Sequence, residues 1–257
     1  MCLLVLAWQA HPEFRLVLAG NRDEFHDRPA AAADWWDDAP GVLAGRDLRA
    51  GGTWLGVSRT GRFAVVTNYR EPMEEGRGPR SRGELVAAYL EGDADPMDYA
   101  SGVAGRGGDY GGFNLLVGDP GRLAYVSNRG RGPETLGPGT YGLSNHLLDT
   151  PWPKLARTRE RFAAALGAGP SPGALVDMLG DRAPAPDDEL PSTGLDLGWE
   201  RLLSPPFITS PLYGTRCTTV VRMARDGRVD FTERRFDAGG RAAGESRFEF
   251  RTGENAA

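Results

Sequence analysis

The sequence has 257 residues, of which 40% are hydrophobic and 25% are charged, and its formal net charge is −5. A chain of this length can form one large domain or two small ones, with a core that needs no disulfide or metal to hold it. The negative net charge excludes a general electrostatic attraction to nucleic acid or to acidic membranes. We therefore expect no nucleic-acid partner, while the oligomeric state stays open.

Cysteine usage and hydropathy predict the compartment. The two cysteines, Cys2 and Cys217, are too few for a disulfide framework, so a reduced, cytoplasmic setting is the simplest reading. The N-terminal apolar run has about eight residues and lacks a basic leader, far short of the ~18 residues of a membrane span. We expect neither a targeting signal nor an integral membrane segment.

Short apolar runs separated by tight turns predict four strand pairs in chain order. They span residues 2–9 with 14–20, 53–58 with 62–68, 113–118 with 122–127, and 216–224 with 228–235, and a last strand is expected near 244–250. Pairs joined by such turns are typical of antiparallel sheet.

Helical patterns lie between the strand pairs. Ser81 with Glu84 forms a capping-box pattern that predicts a helix start, and residues 153–166 and 172–180 predict two further helices. Residues 181–206 contain several prolines and are expected to form a long surface loop. Strand pairs alternating with helices predict an α+β fold, with the helices outside packed sheets.

Cys2 is the most informative residue of the sequence. A small residue at position two favours removal of Met1, which would leave a thiol and a free α-amine on one residue. An α-amine titrates near pH ~7.7–8, so it can accept the proton of its own thiol. This pairing predicts a nucleophile with a built-in base. The alternative is a small residue in a buried first strand.

Polar residues Asn21, Arg22, Asp23 and Glu24 follow the second predicted strand. Strand ends and the loops after them are common places for binding sites. Asp23 could orient the α-amine of Cys2, and Arg22 could bind a substrate carboxylate with its planar guanidinium. The alternative is a solvated turn with local ion pairs.

Three further residues are candidates for the same site. Asn68 and Asn145 each lie at a strand end, where a side-chain amide can donate to an oxyanion or can simply stabilise a turn. Arg216 could lower the pKa of the Cys2 thiol through its charge. Because side chains alternate along a strand, we expect Cys217 to face away from that site.

The sequence resembles the NRDE family, which is named after the motif Asn-Arg-Asp-Glu that stands here at residues 21–24. It also resembles the transport and Golgi organisation protein 2 family, which shares the same domain. The similar segments cover nearly the whole chain and imply a single domain over residues 1–257. They include Met1-Cys2, Leu18–Phe25, Gly51–Gly56, Thr67–Tyr69, Arg82–Val86, Gly112–Leu115, Ser127–Gly130, Gly139–Asn145, Thr150–Lys154, Tyr213–Arg216 and Phe231–Arg234.

The family in turn resembles the N-terminal nucleophile hydrolases, among them conjugated bile acid hydrolases and penicillin V acylases. This resemblance implies a four-layer αββα sandwich with two antiparallel sheets between helix layers. It also implies catalytic roles for five residues and substrate contacts for three: Cys2, Asp23, Asn68, Asn145 and Arg216, then Asn21, Arg22 and Glu24.

One departure concerns the acidic residue. Those hydrolases have Gly-Arg-x-x-Asp where this chain has Gly-Asn-Arg-Asp-Glu, so either Asp23 or Glu24 could fill the acid position. Arg22 is one residue later than the hydrolase pattern, which would turn it to the other face of its strand unless a bulge intervenes.

The resemblance leaves two main functions open. The first is a hydrolase or acyltransferase in which Cys2 attacks a small acyl-bearing substrate without a cofactor. The second is a binding protein that carries haem, a lipid or an acyl-coenzyme A in the same pocket, as implied by the haem-trafficking and secretory-pathway links of eukaryotic relatives. A redox-sensing thiol at Cys2 is a third. The histidines His11, His26 and His146 lack metal-ligand spacing, so no metal site is expected.

Overall fold

A computed structural model describes residues 2–72 and 78–253 of the chain. In this part of the chain, thirteen strands form two antiparallel sheets. The first sheet has the strand order β10-β1-β2-β11-β12-β13. Its strands, in chain order, are β1 Cys2–Trp8, β2 Phe14–Phe25, β10 Gly139–Leu143, β11 Tyr213–Ala224, β12 Arg228–Phe236 and β13 Ala242–Arg251.

The second sheet has the order β3-β4-β5-β6-β7-β8-β9, so its strands are neighbours in the chain as well as in space. They are β3 Ala30–Trp35, β4 Val42–Asp47, β5 Leu55–Ser58, β6 Phe63–Asn68, β7 Phe113–Gly118, β8 Leu123–Ser127 and β9 Glu134–Thr135. The α-helices of the described residues are α1 Gly83–Glu91, α2 Pro96–Gly105, α3 Pro153–Gly167, α4 Pro172–Met178 and α5 Leu197–Leu202.

The apolar run of β1 explains the layers, because successive side chains of a strand face opposite sides of its sheet. Leu4, Leu6 and Trp8 pack between the two sheets, against residues of both. Leu3 and Val5 face the other way and pack under α3 and α4. The far face of the second sheet is covered by α1 and α2. The chain is therefore an α+β protein with four layers, helices–sheet–sheet–helices, as the sequence predicts.

Several elements differ from the sequence-based predictions. All four strand pairs and the last strand are present, but β3, β4, β9 and β10 were not predicted. The predicted surface loop over 181–206 contains α5, whose N-cap Asp196 accepts a hydrogen bond from the Trp199 amide. The predicted Ser81 cap is wrong, since α1 begins after Arg82 and no side chain caps it.

Over residues 2–72 and 78–253, no helix combines the length and the apolar character needed to cross a bilayer.

Candidate active site

A cleft of about 530 Å³ opens between the two sheets at the end where β1 begins. The first sheet contributes Cys2 and residues of β2, β11 and β12, and the second sheet contributes residues of β3, β4 and β6. The segment before α1, residues 78–83, completes the wall. Strand ends of both sheets thus meet in one concave surface, which is where ligand sites are usually built.

Cys2 is the first residue of β1, and only 6% of its surface is exposed, at the cleft. Burial raises the pKa of its thiol, and the nearby Asp23 carboxylate acts in the same direction. The positive charge of Arg22, directly opposite Cys2 in the neighbouring strand, acts to lower the thiol pKa. A thiol in this environment needs a base to become a nucleophile.

Asp23 is a buried acid in the lining of the cleft. It is almost fully enclosed, its Oδ1 accepts a hydrogen bond of 2.7 Å from the Thr215 hydroxyl, and burial raises the pKa of its carboxyl. Glu24 lies at the cleft rim instead, with 23% of its side chain exposed and Oε2 3.9 Å from both Arg22 and Arg28. Of the two acids left open by the sequence, Asp23 is the enclosed one beside Cys2.

A β-bulge decides which side chains of β11 reach the cleft. Thr215 is opposite Asp23 and Cys217 is opposite Arg22, so Arg216 is an extra residue without a partner on β2. The bulge breaks the alternation of side chains, and both Arg216 and Cys217 line the cleft. The prediction that Cys217 faces away is therefore wrong.

The register also places Arg22. Cys2 and Cys217 are both directly opposite Arg22, one on β1 and the other on β11. Directly opposite residues of neighbouring strands share a face, so Arg22 shares the cleft face with the two thiols. The one-residue offset from the hydrolase pattern does not remove Arg22 from the cleft.

Arg216 lines the cleft, but its guanidinium is hydrogen-bonded to backbone carbonyl groups. Its Nη1 donates to the carbonyl oxygens of Phe25 at 2.9 Å, His26 at 3.4 Å and Arg28 at 3.1 Å. Burial lowers the pKa of this guanidinium. Arg216 thus fixes the turn that follows β2, and its charge remains at the cleft wall.

The two predicted oxyanion donors have different surroundings. Asn68 ends β6 and lines the cleft. Asn145 is fully buried and is not among the residues that line it; its Nδ2 donates to the backbone carbonyl of Asn68 at 3.0 Å. The structure therefore places Asn68 in the lining of the cleft and Asn145 outside it.

Asn21 lies on the other face of β2. Its Nδ2 donates to the carbonyl oxygens of Leu179 and Pro206, and its Oδ1 accepts from the Thr218 hydroxyl. With no surface exposed, this side chain joins the sheet to the segment after α4. We correct the expected substrate contact of Asn21, because its polar atoms are engaged away from the cleft.

A buried charge cluster behind Asp23 was missed by the sequence analysis. Lys154, the sole lysine of the sequence, donates from Nζ to the Leu203 carbonyl at 3.1 Å, and burial lowers its pKa to about 7. Beside it, Arg70 Nη1 is 2.6 Å from Glu200 Oε2, with both side chains buried. The sequence offered one signal for this cluster, a single lysine at the start of a predicted helix. The burial of Lys154 could not be predicted from the sequence.

Among the residues that the structure describes, no three His, Cys, Asp or Glu side chains converge to form a metal site. Met1, on whose removal the α-amine of Cys2 depends, lies outside the described residues.

The fold can be compared with solved structures. The αββα sandwich is the architecture that the resemblance to the N-terminal nucleophile hydrolases leads us to expect. A solved structure of the Caenorhabditis elegans ortholog of N-acylethanolamine-hydrolyzing acid amidase matches it with a TM-score of 0.51. The match covers 85% of this chain and 92% of that one at 9% sequence identity, so it shows the fold alone.

Sequence comparison gives the family. The family model for Transport and Golgi organisation 2 matches residues 1–238, and the chain belongs to this family. The transport and Golgi organization protein 2 homolog of Bos taurus is 40% identical over 258 residues, which cover 91% of this chain and 92% of that protein. The Homo sapiens homolog is 37% identical over 256 residues, with the same shares covered.

Proposed function

We propose that this chain is a cysteine amidohydrolase, or an acyltransferase of the same chemistry, that acts on a small acyl-bearing substrate. The observation that carries the proposal is the position of Cys2, which begins the first strand of a hydrolase-like fold and lines the cleft beside the enclosed carboxyl of Asp23. The acid amidase ortholog, whose printed name describes hydrolysis of N-acylethanolamines, shares this fold.

The proposed reaction begins with removal of Met1, which frees the α-amine of Cys2. This amine takes the thiol proton, and Asp23 orients the resulting ammonium. Sγ then forms a bond to the acyl carbon, the C–N bond breaks, and the ammonium gives its proton to the leaving amine. Water, deprotonated by the amine, attacks the thioester, and the acid leaves as the thiol is restored.

The negative oxygen of each tetrahedral intermediate requires a donor. The Asn68 side chain is our candidate because it lines the cleft, and loss of one such donor costs on the order of 3 kcal/mol of transition-state stabilisation. Asn145 acts in this scheme as a positioning residue, through its hydrogen bond to the Asn68 carbonyl.

Hydrolysis of a panel of N-acyl amides, followed by mass spectrometry, tests the proposal. We expect intact mass to show loss of Met1, wild type to release free acid, and Cys2→Ala to be inactive. Cys217→Ser is the matched control, since this mechanism gives Cys217 no role. Unchanged hydrolysis by Cys2→Ala would contradict the proposal.

A second candidate is a carrier of haem, a lipid or an acyl-coenzyme A in the same cleft. It is favoured by the charge of the lining, where the described residues include seven arginines but four acids: Arg22, Arg28, Arg46, Arg80, Arg82, Arg216 and Arg235 against Asp23, Glu24, Asp47 and Glu233. Such a surface suits the propionates of haem or the phosphates of coenzyme A. A Soret shift on titration with micromolar haem would support the haem carrier, and no shift would exclude haem.

A further inference from the structure

Thiols and guanidinium groups alternate across the floor of the cleft. The register sets Cys2 opposite Arg22, Arg22 opposite Cys217, and Cys217 opposite Arg235, so these four residues form one row across β1, β2, β11 and β12. Neighbouring strands are about 4.8 Å apart, and directly opposite residues share a face. All four line the cleft.

Arg22 differs from the other arginines of the cleft in its partners. Its closest carboxylate oxygens are those of Asp47 at 3.7 Å and Glu24 at 3.9 Å, and its side chain is only 12% exposed. Both distances exceed hydrogen-bond length, and within the described residues the structure records no hydrogen bond from the Arg22 side chain. A guanidinium has five donors, so an enclosed one with only distant carboxylates is suited to an added oxyanion.

The carboxylates nearest Arg22 are held by other groups. Asp47 Oδ2 accepts from Arg28 Nε at 2.5 Å, while its Oδ1 accepts from the amides of Arg49 and Ala50. Glu24 Oε1 accepts from the Phe25 amide. These contacts engage oxygens of both carboxylates, so the donors of Arg22 remain available to a ligand.

Arg235 extends the positive surface at the far end of the row. It is opposite Gly244 on β13, where φ is +153°, and a Cβ at Gly244 would overlap the Arg235 guanidinium. Glycine therefore gives this guanidinium room above the edge strand. Its Nη1 donates to the Ser246 hydroxyl at 3.2 Å, which leaves further donors for a ligand.

We propose that the cleft selects compounds with an acid group, carboxylate or phosphate, a few bonds from the carbon that Cys2 attacks, and that Arg22 binds this group. The distance follows from the row: Arg22 is one strand, about 4.8 Å, from Cys2. N-acyl amino acids and N-acyl aminoalkyl phosphates are the simplest amides of this kind. The inference rests on the proposed function only in taking Cys2 as the attacking group.

Alkylation by iodoacetate and iodoacetamide tests the inference without requiring hydrolysis. In both reactions Sγ forms a bond to the CH₂ carbon, iodide leaves, and the thiol proton goes to solvent; only iodoacetate carries a carboxylate, one bond from the attacked carbon. A charge-assisted hydrogen bond of about 1.5–3 kcal/mol corresponds to roughly 10–100-fold in rate. We expect the iodoacetate-to-iodoacetamide rate ratio at Cys2 to exceed that of free cysteine by at least about 10-fold.

Substitutions of Arg22 test whether this side chain causes the preference for iodoacetate. In Arg22→Gln the ratio should fall to that of free cysteine, and in Arg22→Lys it should be partly kept, because the charge remains without the planar fork. Arg241→Gln is the control, since it removes one arginine from the exposed turn between β12 and β13. An equal ratio in wild type and Arg22→Gln, both folded by circular dichroism, would overturn the inference.

Competition and hydrolysis complete the test. Acetate and inorganic phosphate should each slow alkylation by iodoacetate, and the stronger competitor identifies the preferred acid group; no effect of either contradicts an anion site. Preference for iodoacetate without hydrolysis of any amide would reject the proposed function and keep the inference. Equal hydrolysis of N-octanoylglycine and N-octanoylglycinamide, with no alkylation preference, would reject the inference and keep the proposed function.

Discussion

The side-chain amide of Asn145 donates a hydrogen bond of 3.0 Å to the backbone carbonyl of Asn68. Asn145 follows β10 of the first sheet, and Asn68 ends β6 of the second. The carbonyl of Asn145 also accepts from the Arg70 amide at 2.6 Å. One buried asparagine therefore ties together the strand ends of two sheets, at the point where the proposed oxyanion donor lies.

We predict that substitution of Asn145 lowers the stability of the protein, whereas substitution of Asn68 lowers its hydrolytic activity. Asn145→Ala leaves the Asn68 carbonyl without its donor and should lower the free energy of unfolding by about 1–3 kcal/mol. Asn68→Ala keeps that backbone contact and should lose hydrolytic rate, by about 100-fold, with a small stability change. Urea unfolding and kcat measurements check both, and an unchanged unfolding midpoint for Asn145→Ala would contradict the structural role.

Substitutions at two adjacent residues of β2 should change the stability of the protein by different amounts. Asn21→Ala removes an amide that bonds two carbonyls and a hydroxyl in the interior, so we expect a loss of about 2–4 kcal/mol in unfolding free energy. Arg22→Gln faces the cleft and should change stability little. Thermal unfolding of the two variants compares them directly; equal destabilisation would mean that β2 does not have the described register.

The buried ion pair behind the cleft should contribute strongly to the stability of the fold. Glu200→Gln would leave Arg70 as a buried charge without its carboxylate, a change that typically costs about 3–5 kcal/mol. The control is Asp187→Asn, which breaks an exposed pair with Arg201 and should have little effect. Denaturant titration distinguishes the two, and comparable midpoints would show that the Arg70–Glu200 pair is not enclosed.

Lys154 should give the protein a stability that rises with pH. Its pKa is about 7 in the folded chain and near 10.5 when unfolded, so between these values the unfolded chain binds more protons. The free energy of unfolding should gain up to about 1.4 kcal/mol per pH unit in this window from Lys154 alone. The free energy of unfolding of wild type minus that of Lys154→Met, measured by urea unfolding at pH 7 and pH 9, should become more positive as the pH rises; a constant difference would contradict the low pKa.

The paired strands could be predicted because their apolar runs and turns are local features of the sequence. Part of the site could be predicted for the same reason, since Cys2 begins one predicted strand and the Asn21–Glu24 segment follows the next one. The bulge at Arg216 could not be predicted, because it is set by the pairing of β11 with a strand about 190 residues away. That one extra residue brings Cys217 into the cleft, contrary to simple alternation.

The burial of polar side chains could not be predicted from the sequence either. Asn21 and Asn145 have the residue type of a binding group, and only tertiary contacts show that backbone carbonyls occupy their amides. Lys154 could be noticed as a lone lysine, but its enclosure depends on the carbonyl of Leu203, which lies within the segment 181–206 that was predicted as a surface loop. Long-range contacts, which local patterns do not encode, decide these roles.

The most direct test of the central claim is peptide-resolved mass spectrometry after brief incubation with p-nitrophenyl octanoate and an acid quench. The account predicts that the chain starts at Cys2 and carries one octanoyl group on that residue as a hydroxylamine-sensitive thioester. A chain that retains Met1, or an acyl group found on Cys217 while Cys2 stays unmodified, would contradict it.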